Sequence, residues 1–310
     1  MLLLLVLACQ RSAPPVPAAE APVAVEVAAP SPVEWQAPLG HEHPWIGRIW
    51  SADDQAWIQE EALLGALRRA DVVLLGEKHD NPDHHVLQAR VIGALVQPGT
   101  PVLFEQLDLD DRVAGARSPA ELAEAARWAE SGWPDFALYE PVFAAVYEGG
   151  GVVVPAHPTR AQVQAVTSGG LESLSGADRD RLRLAPLSDA QHATLEQEIV
   201  DAHCGMIDAE SAWPMVDAQV LKDATMASAI AEAGTPAILV AGGGHTRPDR
   251  GVPHHLDLDT ATVLFREVRD GLTGIPTVDG EADYVWFTAR LDDEDPCDRF
   301  REQLEEMRRP

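Results

Sequence analysis

Four short apolar runs, each followed at once by polar residues, limit the folds open to this 310-residue chain more than any other feature of its sequence. Their apolarity is continuous instead of alternating, which is typical of strands that are buried on both faces of a largely parallel sheet. Two later runs have similar length and character. We therefore predict strands at residues 72–75, 102–104, 152–154 and 238–241, followed by strands near 262–268 and 284–288.

Helix signals occupy the stretches between these runs. Each predicted helix has an Asn–Pro start, a capping box, a glycine stop or an apolar face. The helices are expected to begin at Asn81, Ser118 and Ser188 and to cover residues 136–147 and 216–233. This alternation predicts an α/β fold with a largely parallel central sheet flanked by helices and right-handed crossovers. Residues 161–215 contain no convincing strand, so we predict an inserted helical subdomain there.

The N-terminal sequence MLLLLVLACQRS ends its apolar run in Val6-Leu7-Ala8-Cys9, which is close to the lipobox of bacterial lipoproteins. In such proteins the cysteine is acylated and becomes the mature N-terminus, so Cys9 is a predicted lipid anchor. Residues 12–38 are rich in proline and alanine, a composition typical of an extended spacer. A plain cleaved signal, or an ordinary apolar terminus, is the alternative interpretation.

These features predict a division of the chain into a signal segment, a tether and one folded domain. Gln10, and not an aspartate, follows the cysteine, which favours the outer membrane of a bacterial envelope, facing the periplasm or the surface. The predicted segments are 1–8 (signal), 9–40 (acylated cysteine and tether), 41–297 (α/β domain with the helical insert at about 161–215) and 298–310 (end of a C-terminal helix).

The net charge of −27 argues against two classes of partner. An acidic surface repels phosphate backbones and anionic lipid, so we expect neither nucleic-acid binding nor electrostatic membrane binding. With Cys9 acylated, two cysteines are left. In an exported protein Cys204 and Cys297 can form a disulfide. A buried free thiol at Cys297 is an equal alternative, because Phe300, Leu304 and Met307 share its helical face.

Carboxylates, imidazoles and guanidinium groups follow the ends of the four main predicted strands. Ligands of open α/β sheets bind outside the carboxyl ends of the strands, so these side chains are expected to meet at one crevice. Each one taken alone is more often an ordinary loop residue; the recurrence at four strand ends is the informative observation. In chain order they are Glu77 and His79; Glu105; His157 and Arg160; and His245, followed by Arg247, Asp249 and Arg250.

Two histidines with one or two carboxylates suit a divalent metal such as Fe, Mn or Zn that keeps an open coordination position. Glu77, His79 and His245 are the candidate ligands. The metal would polarise a carbonyl or activate water, and Arg160 would stabilise developing negative charge. The chain contains no GxSxG motif, and its glycine loop lacks the GK[ST] of phosphate-binding loops, so neither a serine hydrolase nor a P-loop enzyme is supported.

Four segments together resemble the ChaN-like lipoproteins, a haem-binding uptake family. They are LLGEKHDNPDHHVLQ (74–88), VDAQVLKDATMASAI (216–230), LVAGGGHTRPDRGVPHHL (239–256) and ADYVWFTARLDDEDPC (282–297). This family is part of the Tiki and TraB superfamily, whose hallmark is a pair of GxxH motifs; the corresponding residues here are 76–79 and 242–245. The resemblance covers residues 47–297 and implies the same α/β fold.

The resemblance also implies roles for single residues. In proteolytic Tiki members the GxxH histidines and nearby acids bind a divalent metal, which implies His79 and His245 as ligands, with Glu77 and Glu105 as ligand or base. In ChaN-like members the implied role is binding of haem or iron, usually by homodimers. Haem needs an apolar slot, an axial ligand and cations near its propionates.

Several residues are candidates for contacts with haem. Each has an ordinary alternative as a core, loop-end or solvent-exposed residue. Trp128, Trp133 and Trp213, with Met206 and Met215, are expected either to wall an apolar pocket or to pack in the core. The candidate axial ligands are Tyr139, Tyr147, His84, His85, His254 and His255, and Arg247 is a candidate partner of the propionates.

Three functions follow as hypotheses. The first is a lipid-anchored envelope protein that binds haem, or iron released from it. The second is a metal-dependent hydrolase that uses Glu77, His79, Glu105, Arg160 and His245. The third is an interaction protein without catalysis. The closer match to the non-proteolytic branch favours a binding protein over an enzyme.

Overall fold

A computed structural model describes residues 33–273, 278 and 280–299 and confirms the predicted α/β fold. Within those residues an eight-stranded sheet has the strand order β2-β1-β8-β7-β3-β6-β4-β5. The strands are β1 (Ile49–Ser51), β2 (Ala56–Ile58), β3 (Val72–Glu77), β4 (Pro101–Asp108), β5 (Val152–His157), β6 (Ala237–Gly242), β7 (Thr260–Glu267) and β8 (Tyr284–Thr288).

Parallel pairing joins the six strands that the apolar runs predicted. β3 pairs with β7 on one side and β6 on the other, β4 lies between β6 and β5, and β7 pairs with β8. The sequence did not predict β1 and β2, which pair antiparallel at the far edge. Three residues are too few to show a period. What stabilises them is tertiary packing of Trp50 and Trp57, whose rings meet edge to face at 5.1 Å.

Helices cover the sheet and form the insert. Their bounds are α1 (Glu60–Leu67), α2 (Pro82–Leu95), α3 (Pro119–Ala125), α4 (Trp128–Ser131), α5 (Phe136–Glu148), α6 (Arg160–Gly169), α7 (Gly176–Arg181), α8 (Asp189–Ala202), α9 (Ala209–Ala233) and α10 (Pro296–Arg299), with 3₁₀ turns at Leu171–Ser173 and Val252–His255.

The predicted helix starts are confirmed by their caps. The Asn81 side chain accepts from the Asp83 amide, Ser118 from the Glu121 amide, and Ser188 forms a capping box with Gln191. Two bounds differ from expectation. The sequence pattern predicts that the helix after Ser118 continues through Trp128, but it ends at residue 125, because Arg127 takes a left-handed φ of 47°. The helix predicted from 216 begins at 209, where Asp208 caps it.

The sheet has a core on each face. On one side α2 and α5 cover it, with Leu87, Phe104 and Phe143 fully buried. On the other side α9 packs small and medium side chains against Leu74, Leu103 and Leu239. The inserted segment before β6 contains only helices and turns in the described chain, as predicted. Within it α8 packs on the first turns of α9.

Residues 33–40 pack against the domain, although they belong to the predicted tether. The buried carboxylate of Asp83 accepts hydrogen bonds from the amides of Gln36 (2.7 Å) and Ala37 (3.1 Å), and Leu39 pairs with Arg290. The packed part of the chain therefore begins before residue 41. The predicted signal segment, Cys9 and the tether up to residue 32 lie outside the described residues. Within the part of the chain that the structure describes, no helix has the length and apolarity needed to cross a bilayer.

Cys204 and Cys297 form a disulfide, which decides between the two interpretations of these residues. It joins residues 93 apart in the sequence and ties the segment after β8 to the helical insert. Phe300, Leu304 and Met307, which the free-thiol alternative invoked, lie outside the described residues.

We expect Cys297→Ser to lower the free energy of unfolding by about 2–4 kcal/mol, because the crosslink closes a long loop and restricts the unfolded chain. Urea denaturation followed by circular dichroism measures this loss. Cys9→Ser is the matched control and should leave stability unchanged. Dithiothreitol should destabilise the wild type but not the Cys297 variant; equal stability of wild type and variant without reductant would contradict the prediction.

Candidate functional site

The two GxxH segments meet at one edge of the sheet, as the sequence predicted. β3 and β6 are neighbouring parallel strands, and their register places Glu77 opposite Gly242. His79 follows β3 by two residues, and His245 follows β6 by three. The end of β4, with Glu105, lies beside β6. The carboxyl ends of these three strands therefore bring both imidazoles and both carboxylates to one place.

Glu77 is a buried carboxylate whose two oxygens are occupied by protein donors. Its side chain has no exposed area, so every lone pair must find a partner inside the protein. This saturation makes Glu77 an anchor for its neighbours and leaves no oxygen open to a metal in this arrangement. The donors are Tyr139 Oη (2.6 Å), Gln106 Nε2 (2.9 Å) and His79 Nδ1 (2.9 Å) to one oxygen, and Gln88 Nε2 (2.6 Å) and His85 Nδ1 (3.3 Å) to the other.

His79 is oriented by Glu77 and keeps its second nitrogen free of described partners. The ring meets Trp133 edge to face, with centroids 4.9 Å apart, and its side chain is 35% exposed. Gly242 is needed beneath it, because a Cβ at that position would lie 2.9 Å from His79 Nε2 and 3.5 Å from a Glu105 oxygen. His79 Nε2 and Glu105 are thus packed around the same glycine.

Glu105, His245 and Asp223 form a buried chain of hydrogen-bonded charges. His245 Nε2 lies 3.3 Å from Glu105 Oε1, and His245 Nδ1 lies 2.6 Å from Asp223 Oδ1. The other oxygen of Glu105 accepts from the Gly242 amide at 2.7 Å. Asp223 comes from the middle of α9, so the helix that covers the second face of the sheet also orients the second GxxH histidine.

The proximity of these groups changes their pKa values. Burial alone would raise the pKa of Glu105, but the His245 charge and hydrogen bond outweigh it, and the pKa is lowered. Burial likewise opposes the protonated form of His245, yet Glu105 and Asp223 raise its pKa to about 10. For His79, burial is outweighed by the Glu77 hydrogen bond and by the Glu105 charge, which raise the pKa. His245 and Glu105 therefore form a charged pair at neutral pH.

Glycines shape the loop that follows β6. A Cβ at Gly76 would collide with the Thr246 hydroxyl, and one at Gly251 would collide with the carbonyl of His245. The loop closes on itself, since the His245 amide donates to the Gly242 carbonyl at 2.9 Å and the Val252 amide donates to the His245 carbonyl at 2.7 Å. Glycine is needed at these positions because neighbouring atoms approach the backbone too closely for a Cβ, and not because the backbone conformation requires it.

His84 and His85, proposed from the sequence as haem ligands, support the first GxxH loop instead. Both are buried. His84 Nδ1 accepts from the Lys78 amide at 2.9 Å and Nε2 pairs with the Thr288 hydroxyl at 3.0 Å, while burial and the charge of His85 lower the pKa of His84 to about 3. His85 Nε2 pairs with the His79 carbonyl at 3.0 Å. With both ring nitrogens engaged, neither histidine is available to an external ligand in this conformation.

Tyr139 is also engaged. Its side chain is fully buried, and its hydroxyl donates to Glu77. Burial, the Glu77 charge and this hydrogen bond raise the pKa of the phenol, so the phenolate that would ligate iron is disfavoured. Tyr147, on the same helix, is half-buried.

The candidates that follow His245 in the sequence are also paired within the protein. Arg247 is held by both oxygens of Asp249 (2.9 and 2.6 Å) and faces Glu281 at 3.5 Å. His254 Nε2 pairs with the Pro186 carbonyl at 3.2 Å. The imidazole of His255, also a candidate, is buried against the Arg183 carbonyl at 2.9 Å. His254 and His255 thus fasten the loop after β6 to the insert, whereas Arg247 pairs within that loop and with the segment before β8. The structure therefore does not bring them to the crevice.

A cavity of about 600 Å³ opens beyond the carboxyl ends of β4 and β5. Trp133 forms part of its wall and links it to His79, while Trp128 is a core residue and Trp213 is half-exposed on the insert. Arg160 lines it as well. The lining also includes Gln106, Asp108, Asp110, Asp111, Ala126, Arg127, Glu130, Ser131, Gly132, His157 and Val163.

Sequence reasoning missed several residues that complete the site. Gln88, Gln106 and Tyr139 were not identified as partners of Glu77, and Asp108 and Asp223 were not identified as partners of histidines. Asp223 lies inside a motif shared with the ChaN-like proteins, which was the available signal. The described residues contain no group of three or more His, Cys, Asp or Glu side chains arranged to hold a metal ion.

Comparisons with known proteins agree with this fold. A family model described as haem-binding uptake, Tiki superfamily, ChaN matches residues 63–256. A solved structure titled for cofacial haem binding to ChaN of Campylobacter jejuni is 22% identical, covers 77% of this chain and 95% of its own, and superimposes with a TM-score of 0.61. The two chains share a fold.

A second solved structure, of the type III effector HopBA1, is 15% identical. The match covers 74% of this chain and 92% of the effector, with a TM-score of 0.41, too low to indicate more than a partial likeness. No curated protein matches the chain.

The raised pKa of His245 predicts a pH-dependent stability. Its charged contacts contribute fully below the ordinary histidine pKa of 6.5 and are lost as the pH rises from there to about 10. Asp223→Asn should therefore lower the titration midpoint of His245 measured by NMR. In urea denaturation it should narrow the pH range over which the free energy of unfolding falls. Asp189→Asn, an exposed change on α8, is the control. An unchanged midpoint in the Asp223 variant would refute the coupling.

Proposed function

The chain belongs to the ChaN family of haem-binding uptake proteins in the Tiki superfamily, and we propose that it binds haem in the cavity beyond β4 and β5. The observation that carries this assignment is the cavity itself. Its volume of about 600 Å³ lies in the range of small-molecule and cofactor sites, about 300–1,000 Å³. It adjoins the GxxH cluster through Trp133 and Gln106.

The cavity lining combines groups that haem requires with four carboxylates, from Asp108, Asp110, Asp111 and Glu130. Trp133, Ala126 and Val163 offer apolar surface for the macrocycle. His157 offers an imidazole, and the guanidinium groups of Arg127 and Arg160 offer partners for propionates. A bound haem would supply a redox-active iron centre. The residues of this chain would hold it, orient it and limit access of water to it.

We also propose that the chain forms a homodimer and is anchored in the cell envelope. An open cavity leaves one face of a bound macrocycle uncovered, so a second copy of the chain would cover it in a haem-linked homodimer; the cofacial haem of the Campylobacter protein supports this. The lipobox-like sequence ending at Cys9 supports anchoring in the envelope, with the domain taking part in haem or iron uptake. Fractionation tests the anchor: Cys9→Ala should leave the membrane fraction.

Absorbance titration of the purified wild-type chain with haem tests the function. We expect a Soret shift that saturates with haem added. Trp133→Ala should weaken binding because it removes the aromatic wall, whereas Trp213→Ala, on the insert, should not. Absence of both a Soret shift and saturable uptake by the wild type would refute haem binding.

A metal-dependent hydrolase is the second candidate, and a specific observation favours it. His79, Glu105 and His245 converge where β3, β4 and β6 deliver their side chains to one edge of the sheet, although a haem in the neighbouring cavity does not need them. A divalent metal would take His79 Nε2 together with Glu105 and His245, once their mutual hydrogen bond opened. It would then act as a Lewis acid toward a carbonyl or water.

Two glycine-to-alanine variants test whether the chain is a metal-dependent hydrolase. Gly242→Ala should crowd His79 Nε2 and reduce Zn²⁺ or Mn²⁺ binding in calorimetry, together with any peptidase activity. Gly244→Ala is the matched control, since a Cβ there meets no atom within 4 Å. Equal metal binding by the two variants, or no metal binding by the wild type, would eliminate the hydrolase.

A further inference from the structure

We propose that the cavity beyond β4 and β5 binds an organic cation, an ammonium or guanidinium group carried on an alkyl stem. This inference goes beyond the proposed function and does not rest on it, although haem and such a cation would compete for the cavity. A surface of one charge concentrates ligands of the opposite charge. Four carboxylates line the cavity, and we call them the acidic wall; they belong to Asp108, Asp110, Asp111 and Glu130.

The guanidinium groups of the cavity neutralise the acidic wall only in part. Two of them, from Arg127 and Arg160, face four carboxylates, which leaves an excess of negative charge. Arg127 lies 3.8 Å from Glu130, and this pair is weak because the two side chains are 75% and 74% exposed. Burial, together with the charges of Asp108 and Asp110, raises the pKa of Asp111. A carboxyl group with such neighbours gains from a cation that enters the cavity.

Two carboxylates of the acidic wall are held in place by neighbouring groups. Asp108 is the last residue of β4, and His157 is the last residue of β5. His157 Nδ1 lies 2.9 Å from Asp108 Oδ1, and Asp111 Oδ2 accepts from the Asp108 amide at 2.8 Å. Carboxylates that are oriented before a ligand arrives reduce the entropy cost of binding it.

A second, independent observation indicates that the ligand donates hydrogen bonds. Gln106 lines the same cavity and is 3% exposed. Its Nε2 donates to Glu77 at 2.9 Å, whereas its Oε1 has no hydrogen-bond partner among the described residues. A buried acceptor without a donor is costly, so a ligand that supplies the donor is favoured. Ammonium and guanidinium groups carry only donors, and they match both this amide oxygen and the carboxylates.

The cavity suits an organic cation better than a metal ion. In the part of the chain that the structure describes, no three His, Cys, Asp or Glu side chains are arranged to hold a metal. The volume of about 600 Å³ is that of a small-molecule site and far exceeds the space that one ion needs. Trp133 offers an aromatic surface, which attracts cations, and Ala126 and Val163 offer apolar surface for an alkyl stem.

A free alkylamine and an arginine or lysine side chain of a peptide share this chemistry. Isothermal titration calorimetry of the purified wild-type chain tests both sources, with agmatine and an acetylated, amidated Ala-Arg-Ala peptide as probes. A matched peptide with citrulline in place of arginine keeps the shape and the N–H donors but has no charge. We expect saturable binding of one cation per chain, about 10-fold or more weaker for the citrulline peptide. Salt at about 0.15 M limits non-specific attraction to the acidic surface.

Two charge-reversal variants locate the bound cation. Asp110→Lys should weaken binding by about 10-fold or more, because it removes one charge of the acidic wall and adds a competing cation. Asp257→Lys is the matched control, since this exposed residue precedes β7 at the opposite edge of the sheet and its replacement changes the net charge equally. Trp133→Leu should weaken binding, whereas Trp133→Phe, which keeps an aromatic ring, should retain most of it.

The outcomes also separate this inference from haem binding. Tighter binding of the arginine peptide than of agmatine supports a peptide side chain as the ligand, and the reverse order supports a free amine. Three results overturn the inference: no saturable binding of either probe, equal affinity for the arginine and citrulline peptides, or equal losses in Asp110→Lys and Asp257→Lys. If Asp110→Lys unfolds, the citrulline peptide and the two Trp133 variants decide. A wild type that binds a probe but not haem refutes the proposed function alone, and one that binds haem but neither probe refutes this inference alone.

Discussion

Burial of two carboxylates at one edge of the sheet, Glu77 on β3 and Glu105 on β4, is the constraint on which the rest of this structure depends. A carboxylate taken out of water is costly unless it is paired and fully hydrogen-bonded. Glu77 recruits donors from α2, β4 and α5, and Glu105 recruits His245 and the Gly242 amide. These requirements position both GxxH loops, because the two GxxH histidines, His79 and His245, are themselves among the partners of the carboxylates.

The same constraint divides the sheet edge into two regions of different character. Around Glu77 and Glu105 nearly every polar atom is engaged, and the pKa values of His79 and His245 are raised by the carboxylates beside them. Beyond β4 and β5 the side chains of His157 and Arg160 line an open cavity. Trp133 and Gln106 contact both regions.

Much of the fold was predictable because local signals and tertiary packing agree. Apolar runs predicted the six parallel strands, and Asn81, Ser118 and Ser188 cap helices as expected. The predictions of strands and helices were wrong where tertiary packing, and not the local sequence, determines the backbone conformation. β1 and β2 are too short to show a period and are stabilised by tryptophan packing. The sequence pattern predicts that α3 continues through Trp128, but the left-handed backbone conformation of Arg127 ends it earlier.

The sequence by itself determined which residues reach the sheet edge, since strand ends and glycine turns are encoded within a few positions. Only the tertiary structure decided which of them are free. His84, His85 and Tyr139 have partners that come from other elements, as does His157, whose Asp108 partner is 49 residues away. Cys204 and Cys297 form a disulfide although they are 93 residues apart in the sequence. Hydrogen-bond partners are set by contacts between distant segments, and no local pattern records them.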